Sequence, residues 1–127
     1  MCTNVDEFVL QICWPKGSEV PTMKKLECII PFKKFSEIEK ALRNSGIGGL
    51  TVTEVKGYGN EQTRPESYLL LPKVKLEVFC KDEQVNDLVD LLCAACKSKE
   101  LGAGKIAIYD ILDLVRIRTG ECGEVAV

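Results

Sequence analysis

Gly102-Ala103-Gly104-Lys105 and the pair Arg116 and Arg118 carry the clearest chemistry in this chain. Two glycines and a lysine at the mouth of a strand leave backbone N–H groups uncovered beside a cation. Two arginines at i, i+2 on an extended segment point to the same side. Guanidinium forks match phosphate oxygens, so the combination suits a polyanion, most simply the phosphates of a nucleotide. Gly57-Tyr58-Gly59, at the end of another predicted strand, adds a second place where backbone can approach a ligand closely. Taken singly, a glycine-rich stretch is most often a turn and strand-edge arginines are most often solvated. Together they are more specific. The spacing is not that of a Walker loop, which needs four residues between its first glycine and Gly-Lys-Ser/Thr, and no Rossmann fingerprint is present.

The composition narrows the field further. A chain of 127 residues is the size of one domain with a real core, and 46% hydrophobic with 28% charged residues fits a globular protein. The net charge of −2 argues against bulk nucleic-acid binding, so no nucleic-acid partner is expected. No apolar run reaches the roughly 18 residues of a membrane helix, and no basic region precedes an apolar stretch at the start, so neither membrane insertion nor secretion is expected. There is no histidine, which excludes Ser-His-Asp and Cys-His catalysis and removes the commonest metal ligand.

Seven scattered cysteines read as reduced cytoplasmic thiols. Cys93-Ala94-Ala95-Cys96 could serve metal or redox chemistry, but both thiols fall near the apolar stripe of a helix and read first as small buried hydrophobes. Cys80 ends a strand and reads as packed. Cys122 lies close to the arginines and is the best candidate for a reactive or disulfide-forming thiol, with Cys2 and Cys13 able to pair with it.

The elements that must position these groups follow from periodicity. Residues 1–22 read as an extension holding one possible strand, 7–14, before Pro15-Lys16-Gly17-Ser18 breaks it. Residues 25–30 are the first firm strand. Ser36 with Glu39 forms a capping box for a helix through Ile38, Ala41 and Leu42 that stops at Ser45-Gly46. Residues 50–55 and 74–80 are strands. Asp82 caps a second helix whose stripe is Val85, Leu88, Val89, Leu92 and Cys96. Residues 106–109 and 112–117 supply a fourth and a fifth strand. The order is a duplicated βαβ, an α+β ferredoxin-like sandwich over 23–122 with a short tail at 123–127. Both helices lie on one face of such a sheet. The other face, to which Leu76, Val78 and Val52 are assigned, then needs covering, most economically by other copies of the chain.

Four ordered motifs resemble the PII signal-transduction family: 49–59, Leu71-Pro72-Lys73-Val74-Lys75-Leu76-Glu77-Val78, Gly102 to Ile106, and Val115-Arg116-Ile117-Arg118-Thr119-Gly120-Glu121. The resemblance covers about residues 23–122. It implies a homotrimer of ferredoxin-like subunits that binds ATP or ADP in clefts between neighbours and signals to a target protein, which could be a membrane transporter. Gly102, Ala103, Gly104 and Lys105 would cradle phosphates, and Arg116 and Arg118 would reach the same phosphates from the adjacent subunit. Gly49, Leu50, Thr51 and the backbone near Phe79 would fit adenine and ribose. Gly57 and Gly59 would let the loop approach.

The chain also departs from the family pattern. Only residues 60–70 separate Gly59 from Leu71, where typical members carry a long mobile loop with their modified tyrosine and serine. The family's 2-oxoglutarate site takes a glutamine and the Leu-Pro-Lys lysine; Lys73 matches, while the glutamine position aligns with Glu61, with Gln62 one residue later. The reduced loop looks more like PII-like proteins tied to inorganic carbon, in which bicarbonate sits beside ADP or AMP. The resemblance therefore implies a non-enzymatic cytoplasmic regulator of nitrogen or carbon metabolism whose ligands are ADP, AMP or ATP, with Mg²⁺ or bicarbonate as possible companions. Two other classes stay open: a slow ATPase using Glu61 or Glu77 to orient water, and a cysteine-based redox or metal-binding trimer.

Overall fold

The computed structural model describes residues 20–59, 70–96 and 104–127. In chain order these form β1 (Met23–Pro31), α1 (Phe35–Arg43), β2 (Thr51–Gly57), β3 (Leu71–Lys81), α2 (Asp82–Cys96) and β4 (Lys105–Ile111). The strands make one antiparallel sheet in the order β2-β3-β1-β4. This is the expected α+β, ferredoxin-like arrangement.

Alternation in the central strands decides which side is core. Leu26, Cys28 and Ile30 of β1 and Val74, Leu76, Val78 and Cys80 of β3 face the helices, where they meet Ile38 and Leu42 of α1 and Leu88 and Leu92 of α2. Each fully buried leucine or isoleucine there contributes about 1.5–3 kcal/mol.

The open face of the sheet therefore differs from the sequence expectation. Leu76 and Val78 lie under the helices, and Val52, opposite Leu76, shares their side. The helix-free face carries the odd-numbered set instead: Lys25, Glu27 and Ile29, Lys75, Glu77 and Phe79, and Tyr109. Charge and aromatic contacts fill its middle. The Lys25 ammonium lies 3.2 Å from Glu77 Oε2, 3.6 Å from Glu27 Oε1 and 4.6 Å from the centre of the Tyr109 ring. The Tyr109 hydroxyl donates to Glu27 Oε2 at 3.4 Å. The Glu77 carboxylate, and secondarily Glu27, raises the pKa of Lys25.

The helix starts also differ. A 3-10 turn, Phe32–Lys34, leads into α1, whose N-cap is Lys34 with no side-chain cap bond, so Ser36 is not the cap. The chain leaves β1 through Pro31 and is already helical before it reaches the serine. At α2 the Lys81 N–H donates to Gln84 Oε1 at 2.9 Å, half of a capping box one residue earlier than predicted. The Asp82 carboxylate instead accepts from Lys24 at 2.6 Å, and Asp110 lies 3.1 Å from the same ammonium.

Residues 112–117 do not form a fifth strand. Their only ladder contact among the described residues is a single bridge, Val115 to Cys122. Gly120 and Gly123, with φ of 75° and 76°, close a tight hairpin there. A 3-10 turn, Gly123–Ala126, ends the chain.

Candidate functional site

The antiparallel order gives the sheet two ends. β1 and β3 run in opposite directions, so one end holds Pro31, Gly57, Lys73 and the start of β4. The other end holds Met23, Thr51, Phe79 to Lys81 and Ile111, and the C-terminal hairpin follows it.

At the first end, Gly104 has φ 128°, and a Cβ there would stand 2.7 Å from the Ile29 carbonyl oxygen. Only glycine fits that approach. Lys105 follows as the exposed first residue of β4, opposite Ile29. Gly57 closes β2 opposite Leu71, and the exposed Gly59 ends the described stretch that leaves it. Lys73 is half-buried, between Pro31 and Val55 in the register. Gly102, Ala103, Glu61 and Gln62 lie outside the described residues, as do Cys2, Cys13 and the possible strand at 7–14.

The second end holds the remaining predicted contacts. Gly49 is exposed with open space around its Cα, Leu50 packs on the core, and Thr51 starts β2 opposite Glu77. Phe79 shows an exposed ring on the helix-free face. Arg116 and Arg118 stand on the hairpin, not on a strand. The Arg116 N–H donates to the Glu121 carbonyl at 2.8 Å, and the Gly120 N–H donates to the Arg116 carbonyl at 2.7 Å. The Arg116 side chain is engaged as well: Nη1 donates to Glu121 Oε1 at 2.7 Å and Nη2 to the Val125 carbonyl at 3.0 Å. Arg118 sits in the turn itself and is exposed.

One chain thus separates the two halves of the predicted phosphate site. β4 has seven residues, so its ends lie about 20 Å apart. Lys105 opens the strand, while Arg116 and Arg118 come after it.

The thiols separate by environment. Cys28 and Cys80 are buried and free, and burial pushes the Cys28 thiol up to about 12 and raises that of Cys80. Cys96 packs against the core and its pKa is also raised by burial. Cys93 is exposed, against the expectation of a buried pair, because it sits one residue round the helix from the buried Leu92. Cys122 is disulfide-bonded, as expected of the best disulfide-forming candidate among thiols otherwise read as reduced. Among the described residues no group of three or more acidic or cysteine side chains could hold a metal ion. Among them, too, no helix is long and apolar enough to cross a membrane.

Residues the sequence reading missed at the second end are Glu121, Val125 and Gly48. A Cβ at Gly48 would stand 3.2 Å from the Val127 carbonyl oxygen, so the tail closes onto the loop that leads to Gly49. The glutamate was visible as part of Thr119-Gly120-Glu121, but only the turn shows that it reaches Arg116.

Comparison with known proteins agrees with the fold. Residues 23–121 match the family described as nitrogen regulatory protein P-II. The P-II protein of Cereibacter sphaeroides is 43% identical over 112 residues, covering 83% of this chain and all of the relative. P-II protein 1 of Escherichia coli K12 is 38% identical with the same coverage. That share of this chain is about 105 residues, so it spans the relatives' full length with roughly seven fewer positions. A crystal structure of Arabidopsis thaliana PII bound to citrate superposes with a TM-score of 0.72 at 33% identity, covering 84% of this chain and 94% of that one. The chain belongs to the P-II nitrogen regulatory protein family.

Proposed function

We propose that this regulatory protein acts as a homotrimer that binds adenine nucleotides between neighbouring copies and passes the occupancy of those clefts to a target protein. The phosphates lie on Gly102 to Lys105 of one copy and on Arg116 and Arg118 of the next. Adenine and ribose lie along Gly49 to Thr51 and the backbone near Phe79. The observation that carries this reading is the placement of Lys105 and of the arginine hairpin at opposite ends of β4. A helix-free sheet face bearing Ile29, Phe79 and Tyr109 supports association of copies through that surface. Nothing in the described site is poised as a base: Glu77, one candidate to orient water, is engaged by Lys25 at 3.2 Å. Regulation by binding, without turnover, is the better reading.

Calorimetry with AMP, ADP and ATP tests it, using the wild type, Lys105→Ala, Arg116→Ala and an equimolar mixture of the two variants after dissociation and reassembly. Each variant alone is expected to lose binding. The mixture should regain it in about a quarter of its clefts, those that join an intact lysine to an intact arginine across a cyclic interface. No recovery on mixing would count against a shared site.

A second reading is favoured by the missing positions relative to the curated relatives. A shortened loop leaves less chain to hold 2-oxoglutarate, and bicarbonate beside ADP or AMP becomes the second effector. The same titrations with bicarbonate, and separately with Mg²⁺ and 2-oxoglutarate, decide it. ADP binding tightened by bicarbonate alone supports the inorganic-carbon reading; tightening by 2-oxoglutarate with Mg²⁺ removes it.

A further inference from the structure

The C-terminal hairpin supplies its own anion to Arg116. Glu121 Oε1 accepts from Arg116 Nη1 at 2.7 Å and from the Thr119 hydroxyl at 2.9 Å. The Glu121 N–H in turn donates to Thr119 Oγ1 at 3.2 Å. The backbone fixes this arrangement, because Arg116 and Glu121 pair through N–H and carbonyl at 2.8 Å while Gly120, at φ 75°, makes the turn. The guanidinium's second arm is taken by the Val125 carbonyl, two residues before Val127 reaches Gly48. Arg116 is thus held through both terminal nitrogens by acceptors of its own tail, and those N–H groups are the donors a phosphate would take.

We infer that Glu121 and the tail form an autoinhibitory clasp on Arg116, an intramolecular competitor that a phosphate-bearing ligand must displace. The inference rests on the reading of Arg116 as a phosphate ligand and adds regulation to that site. A guanidinium held by a carboxylate is unavailable for part of the time, so the apparent affinity falls by the fraction of copies in which it is free. Glu121 is a carboxylate near an anion site as well as a bond partner, and those two effects must be told apart. Glu124, three residues on, is the reference: it carries the same charge in the same tail, and its backbone carbonyl accepts from the Val127 N–H.

The test is ADP affinity by calorimetry for the wild-type protein, Glu121→Ala, Glu121→Gln, Glu124→Gln and Arg116→Ala. Glu121→Gln keeps the shape of the turn should the alanine variant fold poorly. The clasp predicts that Glu121→Ala tightens ADP about three- to fivefold at low salt, Glu121→Gln by less, and Glu124→Gln by under twofold. Equal gains for Glu121→Ala and Glu124→Gln would mean through-space charge alone and would overturn the clasp. Weaker binding in Glu121→Ala and Glu121→Gln would make Glu121 a support for Arg116 and would overturn it too. In both of those cases a loss of binding in Arg116→Ala leaves the nucleotide reading standing. ADP bound by none of the proteins, or bound equally by Arg116→Ala, would overturn the nucleotide reading and the clasp with it.

Discussion

The two ends of the sheet offer cations in opposite states. At the first, Gly104 is wedged 2.7 Å from the Ile29 carbonyl by packing, and Lys105 beside it is exposed. At the second, Arg116 is already bonded to Glu121 and to Val125 of its own tail. The first end is built by steric constraint on the backbone and the second by hydrogen bonds within a hairpin. If the proposed site joins these ends, Lys105 meets the ligand exposed while Arg116 must first leave its tail, so occupancy would be coupled to a change in the hairpin.

The largest effect expected is on binding. Removing either cation should weaken ADP about a hundredfold, since each leaves phosphate charge without a charge-assisted partner. If Lys105→Ala and Arg116→Ala differ from each other by more than about tenfold, the two ends do not contribute as one site. Titration calorimetry at fixed salt reads both.

A second contrast separates packing from recognition. Gly104→Ala meets both a positive φ and the Ile29 oxygen, and should cost about 1–3 kcal/mol in urea unfolding. Gly49→Ala meets nothing within 4 Å and should change stability by less than about 0.5 kcal/mol. Its effect, if any, belongs to the nucleotide. Equal destabilisation by the two substitutions would show that the glycine end is not held by the wedge.

Much of this was legible in the sequence. The apolar alternation of β1 and β3 and the stripe Leu88 and Leu92 placed every central element, because burial on one side imposes the period directly. The glycines, Lys105 and the arginines could be named from residue type alone. What the sequence misplaced has a related origin in each case: a local pattern does not name the surface or turn that its residues meet. Val115-Arg116-Ile117-Arg118 alternates as a strand should, yet Ile117 is 99% exposed and only Val115 finds a bridge. Leu76 and Val78 were assigned to the wrong face because alternation says that two faces differ, not which one the helices cover. Glu121 was missed because its role depends on a turn that folds residue 121 back on residue 116.

The thiols sharpen the comparison on a third axis. Cys28 has its pKa raised to about 12 by burial, above that of an unfolded thiol near 9. The unfolded chain therefore gives up this proton first as the pH rises. The stability is fully present below about pH 9 and falls by about 1.4 kcal/mol per pH unit from Cys28 alone up to about pH 12. Urea midpoints from pH 8 to 10.5, compared with Cys28→Ala, check the sign. An alkylating reagent at pH 8 should label the exposed Cys93 in the native protein and reach Cys28 and Cys80 only on unfolding.

The smallest effect concerns the fastening of the second end. Cys122 is disulfide-bonded beside Glu121, and the Gly123 N–H next to it donates to Leu114 O and Asp113 Oδ1, both at 3.0 Å. A dithiol reductant exchanges with this disulfide, leaving Cys122 and the cysteine bonded to it as thiols and the reductant as an oxidised disulfide. The tail then keeps its hydrogen bonds but loses a covalent anchor, so its opening becomes more frequent while the sheet is unaffected. Amide exchange of Gly123 and Val127 should quicken severalfold on reduction, with that of Leu26 and Val78 unchanged. Unchanged exchange in the tail would place the whole hold on Arg116 in its bonds to Glu121 and Val125. The clasp would then respond to ligand alone and not to the redox state of Cys122.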